Sequence, residues 1–379
     1  MKAALICFNL SFVAGGQRLV FSLARALKKR GHTVIIYAPD FDTDQYQEIS
    51  SELDIRTIKL SRPIDWFSRP KNLLKWVLNK LNQEYEFVSA SKKIAAAMDL
   101  DFDVVNVHDS AYRTGYFYAK RNPHAKIIWT QNAPPFIYLP KQKVLFDLLS
   151  KLYQRLKNWS SKKYFRVMSK VAVLDFYNKA WSEAHGIKNA VIIRAGINFE
   201  NFYAPVKDFR EKAKRKSAQL LALGALNPYR RYDNVIMSVA YLRKQGYDVR
   251  ALIIANHIWH EDECRADLIA LVKKNNLENS IDLRFTGVSE GELRRAYQES
   301  DIFVQAVYVP PPSNHGWGLV NFEAMAAGLP VVLCRTATAT EVLNDGENAF
   351  FVDPLSPDQI AEKVNAMIDN PELYMKVAT

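Results

Sequence analysis

Residues 313–334 read SNHGWGLVNFEAMAAGLPVVLC, a glycine-lined turn followed by a helix and an apolar strand. Gly316 and Gly318 flank Trp317, and without Cβ atoms they let the backbone approach a ligand closely. The run Leu319–Ala327 has helical character, and Gly328-Leu329-Pro330 stops it before the strand Val331–Cys334. Free N–H groups at such a helix start, with the positive end of its dipole, favour a bound phosphate. Glu323 lies about one helical turn in, a reach that suits a sugar hydroxyl beside that phosphate. The same residues also fit a plain loop–helix join carrying a surface glutamate. The flanking sequence decides between these readings.

On the C-terminal side and upstream, strands alternate with helices. Strands are expected at Gln219–Leu223, Arg250–Ala255, Ile281–Phe285, Ile302–Gln305, Val331–Cys334 and Ala349–Val352, with helix stops at Gly246 and Gly328. The first half opens with strand Ala3–Phe8, a loop to Gly16, helix Gln17–Arg30 and strand Thr33–Ala38. Asp103–His108, Lys126–Thr130, Val171–Leu174 and Ala190–Arg194 extend the set. Alternation on this scale predicts an α/β protein with two doubly wound parallel sheets of Rossmann type, residues 1–200 and 201–379, joined near Gly196–Lys216. Ligands of such sheets bind beyond the carboxyl ends of the strands, so a cleft between the two domains is expected.

The chain has 379 residues, too many for one ordinary core, and 49% of them are hydrophobic. Cys7, Cys264 and Cys334 are odd in number and widely spaced. Two of them fall in expected strands, which suits reduced thiols and a cytoplasmic setting. MKAALICFNLSFVAGG resembles a leader, but it runs straight into a turn, a helix and a second strand, so it reads as the first strand of a folding unit. No apolar run is long enough for a transmembrane helix.

A formal net charge of +11 implies an anionic partner. Residues 141–170 hold nine Lys or Arg against one acid, Asp147. The cluster Lys207–Lys216 reads as a basic linker. Trp66–Leu81 and Val144–Trp159 carry apolar residues at helical spacing: Leu73, Val77 and Leu81 in one, Leu145, Leu149, Leu152 and Leu156 in the other. Two readings stand for these helices. Their stripes pack into a core beneath solvated basic faces, or they rest on an anionic membrane with Lys151, Arg155 and Lys157 as contacting cations.

Three loops fall at the carboxyl ends of expected strands. The first, Val13–Gln17, contains Gly15 and Gly16. The second, Gly224–Arg231, places Arg230 and Arg231 after a proline turn, a pair able to clamp a diphosphate. The third is Ser313–Glu323. With GVSEGELRRAYQESDIFV (287–304) and TEVLNDGENAFFVDP (340–354), these elements in this order resemble the family 4 retaining glycosyltransferases of the GT-B fold. The resemblance covers nearly the whole chain and is strongest from Gly224 to Pro354.

The resemblance implies transfer of a sugar from a nucleoside diphosphate sugar to an acceptor hydroxyl, with an N-terminal acceptor domain and a C-terminal donor domain. No cofactor and no metal are implied beyond the donor itself. Glu323 matches the family's glutamate that holds the donor ribose; Gly318, Leu319 and Val320 match the amides near the diphosphate. Arg230 matches the basic residue that neutralises the departing diphosphate, with Arg231 a second cation. Gly15 and Gly16 match the loop that closes on the donor, and His108 matches a histidine near the transferred sugar. The sequence departs from the pattern in three places. His315 stands where the family has its first glutamate, Ala225 replaces an arginine, and Asn132 replaces a histidine. The family's final helix returns to the N-terminal domain, whereas this sequence stops at Thr379 in an expected helix.

The leading expectation is a cytoplasmic transferase, peripheral at the membrane face, with a glycan or lipid-linked acceptor. His315 motivates an alternative, a catalytically weak nucleotide-sugar-binding subunit. No nucleic-acid readout module accompanies the basic charge, so nucleic acid is not an expected partner. The pairs Asp42/Asp44, Asp99/Asp101 and Asp101/Asp103 read as polar loop residues, and His257, His260, Glu261 and Asp262 as a helix start, in preference to metal sites.

Overall fold

The computed structural model describes residues 1–10, 15–42, 50–60, 64, 72–136, 144–258, 261–310 and 316–379. The chain divides into two compact units, Met1–Ala195 and Gly196–Thr379. In the first unit the strands are β1 (Lys2–Ile6), β2 (Thr33–Ala38), β3 (Asp54–Thr57), β4 (Val104–His108), β5 (Lys126–Gln131), β6 (Lys170–Val173) and β7 (Ala190–Ile192). They form a parallel sheet in the order β3-β2-β1-β4-β5-β6-β7. Its longer helices are α1 (Gly15–Lys29), α2 (Leu73–Ala97), α3 (Tyr112–Ala119), α4 (Val144–Phe165) and α5 (Phe176–Ala184).

The second unit contains β8 (Ser217–Ala225), β9 (Asp248–Asn256), β10 (Ile281–Arg284), β11 (Ile302–Gln305), β12 (Val331–Cys334) and β13 (Phe350–Val352). Their order is β10-β9-β8-β11-β12-β13, again parallel. The longer helices here are α6 (Tyr232–Lys244), α7 (Asp262–Lys274), α8 (Glu290–Glu299), α9 (Leu319–Ala326), α10 (Pro357–Asp369) and α11 (Pro371–Ala378). Both sheets are the doubly wound parallel type expected from the alternation.

Pleating explains why these strands read as continuous apolar runs. Ala4 and Ile6 of β1 pack into one core cluster, Leu5 and Cys7 into another on the opposite face. In the second unit Leu220 and Ala222 of β8 face one cluster and Leu221 the other, and Ile302 and Phe303 of β11 divide in the same way. A sheet covered by helices on both faces has no solvated side to mark with polar residues.

One strand escapes the sequence reading. β3, DIRT, lies at the sheet edge and carries Asp54 and Arg56, which pair with each other at 3.2 Å. Half-exposed edge strands tolerate charge, so hydrophobic pattern does not reveal them. The basic cluster at 207–216 also proves to be more than a linker. Lys212 lies 2.5 Å from the fully buried carboxylate of Asp301, and Lys207 lies 3.9 Å from it. These cations compensate a charge that burial would otherwise make costly.

The two amphipathic segments are helices, α2 and α4, but their leucine stripes do not enter a core. Leu81, Leu145, Leu152 and Leu156 are exposed, and Leu73, Val77 and Leu149 are half-buried. Inward packing is done by Trp76, whose ring meets Phe146 and Tyr153 at 6.0 and 6.1 Å. Trp66 lies outside the described residues. Lys157 is not a surface cation either: it pairs with Glu84 at 2.7 Å, and Arg113 of α3 joins the same carboxylate. Burial raises the Glu84 pKa, yet Arg113 and Lys157 outweigh it and hold the group below its ordinary value.

Gly328 ends α9 at φ +70°, and a Cβ there would stand 3.0 Å from the carbonyl oxygens of Ala204 and Pro205. Gly246 has φ +91° with nothing within 4 Å of its Cβ position. Both substitutions to Ala strain the backbone, but only Gly328→Ala adds a clash with backbone atoms that cannot swing away. We expect Gly328→Ala to destabilise the second unit by about 1–3 kcal/mol, and by more than Gly246→Ala, as read by urea denaturation. Equal losses would contradict this packing.

Candidate active site

In each unit the strand order reverses at one point, and the described residues singled out in the sequence lie on the turns and helices that flank it. In the first sheet the reversal lies between β1 and β4, in the second between β8 and β11. Chains leaving such a pair of strands turn in opposite directions and open a crevice beyond their carboxyl ends.

In the second unit β8 leads into Asn227–Arg231. The Asn227 side chain accepts from the Tyr229 N–H at 3.3 Å and sets the turn. Arg231 adopts φ 53° and enters α6, where it pairs with Asp233 at 2.5 Å. Arg230 instead folds back on the strand end. A Cβ at Gly224 would stand 3.1 Å from its Cζ, so the absent side chain is what admits the guanidinium. Its Nε is buried without a hydrogen-bond partner among the described residues. Both arginines keep a buried Nε without a hydrogen-bond partner among the described residues; Arg231 also pairs with Asp233, whereas Arg230 pairs with no carboxylate among the described residues.

β11 leads to α9. Gly318 sits at the N-cap with φ 73°, and glycine offers no side chain to cap the first turn. A Cβ at this position would meet Asn321 Nδ2 at 2.8 Å and Gln305 Nε2 at 3.2 Å. Glycine is therefore required by both conformation and space. Asn321 donates to Gln305 Oε1 at 2.9 Å, and Gln305 Nε2 is buried without a partner among the described residues. The N–H groups of Leu319 and Val320 thus begin a helix beside the end of β11, at its positive dipole end, with no cap from Gly318. Glu323 is 3% exposed and accepts from Tyr297 Oη of α8 at 2.9 Å. That burial removes the reading of a surface glutamate. His315 lies outside the described residues.

In the first unit His108 ends β4, buried, with neither ring nitrogen partnered among the described residues. Burial pushes its pKa down to about 4, so the imidazole is neutral at ordinary pH. Asp109 follows at φ 45°, a left-handed conformation unusual outside glycine. Asn132 holds it there, donating from its backbone N at 2.8 Å and from Nδ2 at 2.9 Å. Burial raises the Asp109 pKa against those hydrogen bonds. A Cβ on Gly16 would lie 3.5 Å from Asn132 Nδ2 and 3.8 Å from Asp109 Oδ2, which puts the first turn of α1 beside this pair. Gly15, its neighbour, is exposed. Asp109 and Tyr297 were not singled out in the sequence. The positions that flag them are the residue after a strand-ending histidine and the tyrosine within GELRRAYQ.

The carboxylates at 99–103 are occupied structurally. Lys2 Nζ lies 3.1 Å from Asp99 and 2.6 Å from Asp101, and its backbone N donates to Asp103 at 2.7 Å. Asp44 and His260 lie outside the described residues.

Residues 13–201 match the model of glycosyltransferase family 4, and residues 205–379 match that of the glycosyl transferases group 1. The chain is 24% identical to mannosylfructose-phosphate synthase of Agrobacterium fabrum, over 96% of this chain and 81% of that protein. It is 23% identical to phosphatidyl-myo-inositol mannosyltransferase of Mycobacterium leprae, over 98% of this chain and 89% of that one. Among solved structures, Anabaena HepE in complex with UDP-glucose superposes with a TM-score of 0.70 at 15% identity, covering 100% of this chain and 92% of that one. The catalytic domain of Arabidopsis thaliana starch synthase IV, bound to ADP and acarbose, gives 0.72 at 14% identity, covering 100% and 94%. The shared architecture is the GT-B fold.

The His108 environment carries a pH signature. An unfolded imidazole titrates near 6.5 and the buried one at about 4. Between these values the unfolded chain takes up a proton that the folded chain does not, so stability falls as pH falls. We expect the denaturation midpoint of the wild type to drop more steeply from pH 6.5 to 4 than that of His108→Gln. The integrated difference is about 3 kcal/mol. Parallel pH profiles would show that the imidazole is not buried and neutral.

Proposed function

This chain belongs to glycosyltransferase family 4 of the GT-B fold, and from that premise we propose that it transfers a sugar with retention of anomeric configuration, without a bound metal, from a nucleoside diphosphate sugar to a hydroxyl of a glycan or lipid-linked acceptor. The observation that carries this reading is the pairing at the second sheet's reversal point. Arg230 is seated on Gly224 at the end of β8, and α9 begins after β11 with a glycine N-cap.

The chemistry follows from charge. The glycosidic bond to the diphosphate breaks, the acceptor oxygen bonds to the anomeric carbon, and the acceptor's proton leaves with the diphosphate. Negative charge grows on the leaving phosphate, so donors fixed before the reaction stabilise the transition state more than the ground state. Arg230 supplies a permanent cation, and the amides of Leu319 and Val320 supply a dipole end. Glu323, aimed by Tyr297, suits the ribose hydroxyls as a charged acceptor. Neutral His108 can both donate to and accept from a sugar hydroxyl without adding charge. Gly15 and Gly16 leave room at the start of α1. HepE is described with UDP and UDP-glucose, and starch synthase IV with ADP, which supports a nucleoside diphosphate as the common ligand.

Purified protein in EDTA should gain thermal stability from a nucleoside diphosphate or its sugar ester. Turnover, as donor hydrolysis or transfer, should fall about 100-fold in Arg230→Ala. Glu323→Gln should weaken nucleoside diphosphate binding about tenfold, by loss of a charge-assisted hydrogen bond. Proton NMR of the product should show the donor's anomeric configuration. Wild-type binding and turnover in both variants would sink the assignment, and turnover only with added divalent metal would sink its metal-free form.

A further inference from the structure

Ten of the 21 exposed large hydrophobic side chains among the described residues lie on α2 and α4. On α4 they form one continuous stripe, Leu145, Leu148, Leu152, Leu156 and Trp159, between 52% and 72% exposed. On α2 the stripe is Leu74, Leu78, Leu81 and Tyr85. Both follow the three- and four-residue spacing of a helix face. Soluble surfaces scatter such residues singly, and a contiguous patch marks an interaction site.

The two helices are locked side by side. Trp76 and Glu84 of α2 meet Phe146, Tyr153 and Lys157 of α4, and the order of these contacts makes the helices parallel. With about 100° of rotation per residue, the exposed stripe lies on opposite hands of the contact line in the two helices. On parallel helices that brings both stripes to one side of the pair.

Charge identifies what covers this face. On α4 a row of exposed cations, Lys151, Arg155 and Lys162, runs along the edge of the stripe beside Leu148, Leu152 and Trp159. On α2 exposed Lys75 lies beside Leu74 at the start of the other stripe. Lys151 is partly engaged by Asp147 at 2.9 Å, whereas Arg155 and Lys162 have no acidic partner within salt-bridge distance among the described residues. A second copy of this chain would set these cations against themselves. A bilayer with anionic headgroups accepts all of them, with leucines in the acyl boundary and Trp159 at the headgroup level. No described helix is long and apolar enough to cross a membrane. We therefore propose that the α2–α4 face docks peripherally on an anionic lipid bilayer. Combined with the transfer reaction proposed above, docking would hold the acceptor unit against a lipid-linked acceptor.

Flotation of the whole protein with phosphatidylcholine vesicles, and with vesicles also containing phosphatidylglycerol, tests this. Binding should require phosphatidylglycerol and weaken with added salt. Leu148→Ser/Leu152→Ser/Leu156→Ser alters only exposed positions and should lower partitioning by at least about tenfold. Arg155→Gln and Lys162→Gln should each lower it about fivefold. Thermal stabilisation by nucleoside diphosphate serves as the folding control and should be unchanged in every variant, which separates this proposal from the transfer reaction. Flotation on both vesicle types alike, or on neither, would overturn the proposal. So would dimerisation in light scattering that the serine variant abolishes without any vesicle binding, because a second copy would then own the face.

Discussion

Parallel strands cannot be joined by hairpins, and that constraint organises everything functional in this chain. Each strand must return through a crossover, so every strand-to-helix turn of a unit falls at one edge of its sheet. Where the order reverses, two of these turns lead away from each other and leave a gap. In the second unit the gap is flanked by the Asn227–Arg231 turn and the start of α9, in the first by the start of α1 and the His108–Asp109 turn. The four loops are far apart in sequence and have no common motif. Within each unit, sheet topology alone brings the two together at the reversal point.

The two units offer opposite electrostatics at these points. In the second, Arg230 and the first turn of α9 supply positive charge that needs no proton and little rearrangement. Gly224 and Gly318 make this possible, since a side chain at either would collide with the group beside it. In the first, the strand ends in a buried imidazole kept neutral by desolvation, followed by a carboxylate whose left-handed backbone is secured by Asn132. Positive charge suits a phosphate leaving group. A neutral hydrogen-bonding group suits sugar hydroxyls.

Much of the fold was legible in the sequence because strands buried on both faces are uniformly apolar and their crossover helices end at glycines such as Gly246 and Gly328. β3 was missed because an edge strand of the sequence DIRT has no such signature. The turns that flank the reversal points were legible from glycine spacing. The ion pair that distinguishes Arg231 from Arg230 was not, since it depends on Asp233 and on the turn set by Asn227. Tyr297 was equally hidden, because its hydrogen bond to Glu323 spans 26 residues. The stripes on α2 and α4 illustrate the opposite case. Helical periodicity announced an apolar face, but periodicity alone does not say whether a face is covered. Lys157, counted in sequence as a surface cation, is consumed by Glu84.

The claim that the rest depends on is that the second unit grips a diphosphate between the Arg230 guanidinium and the first amides of α9. A crystal structure of the protein with a bound nucleoside diphosphate tests it most directly. Phosphate oxygens should lie within hydrogen-bond distance of the Leu319 and Val320 amides, with Arg230 on the same group and the ribose on Glu323. A diphosphate bound elsewhere, with Arg230 still folded on Gly224 and no contact to α9, would contradict it.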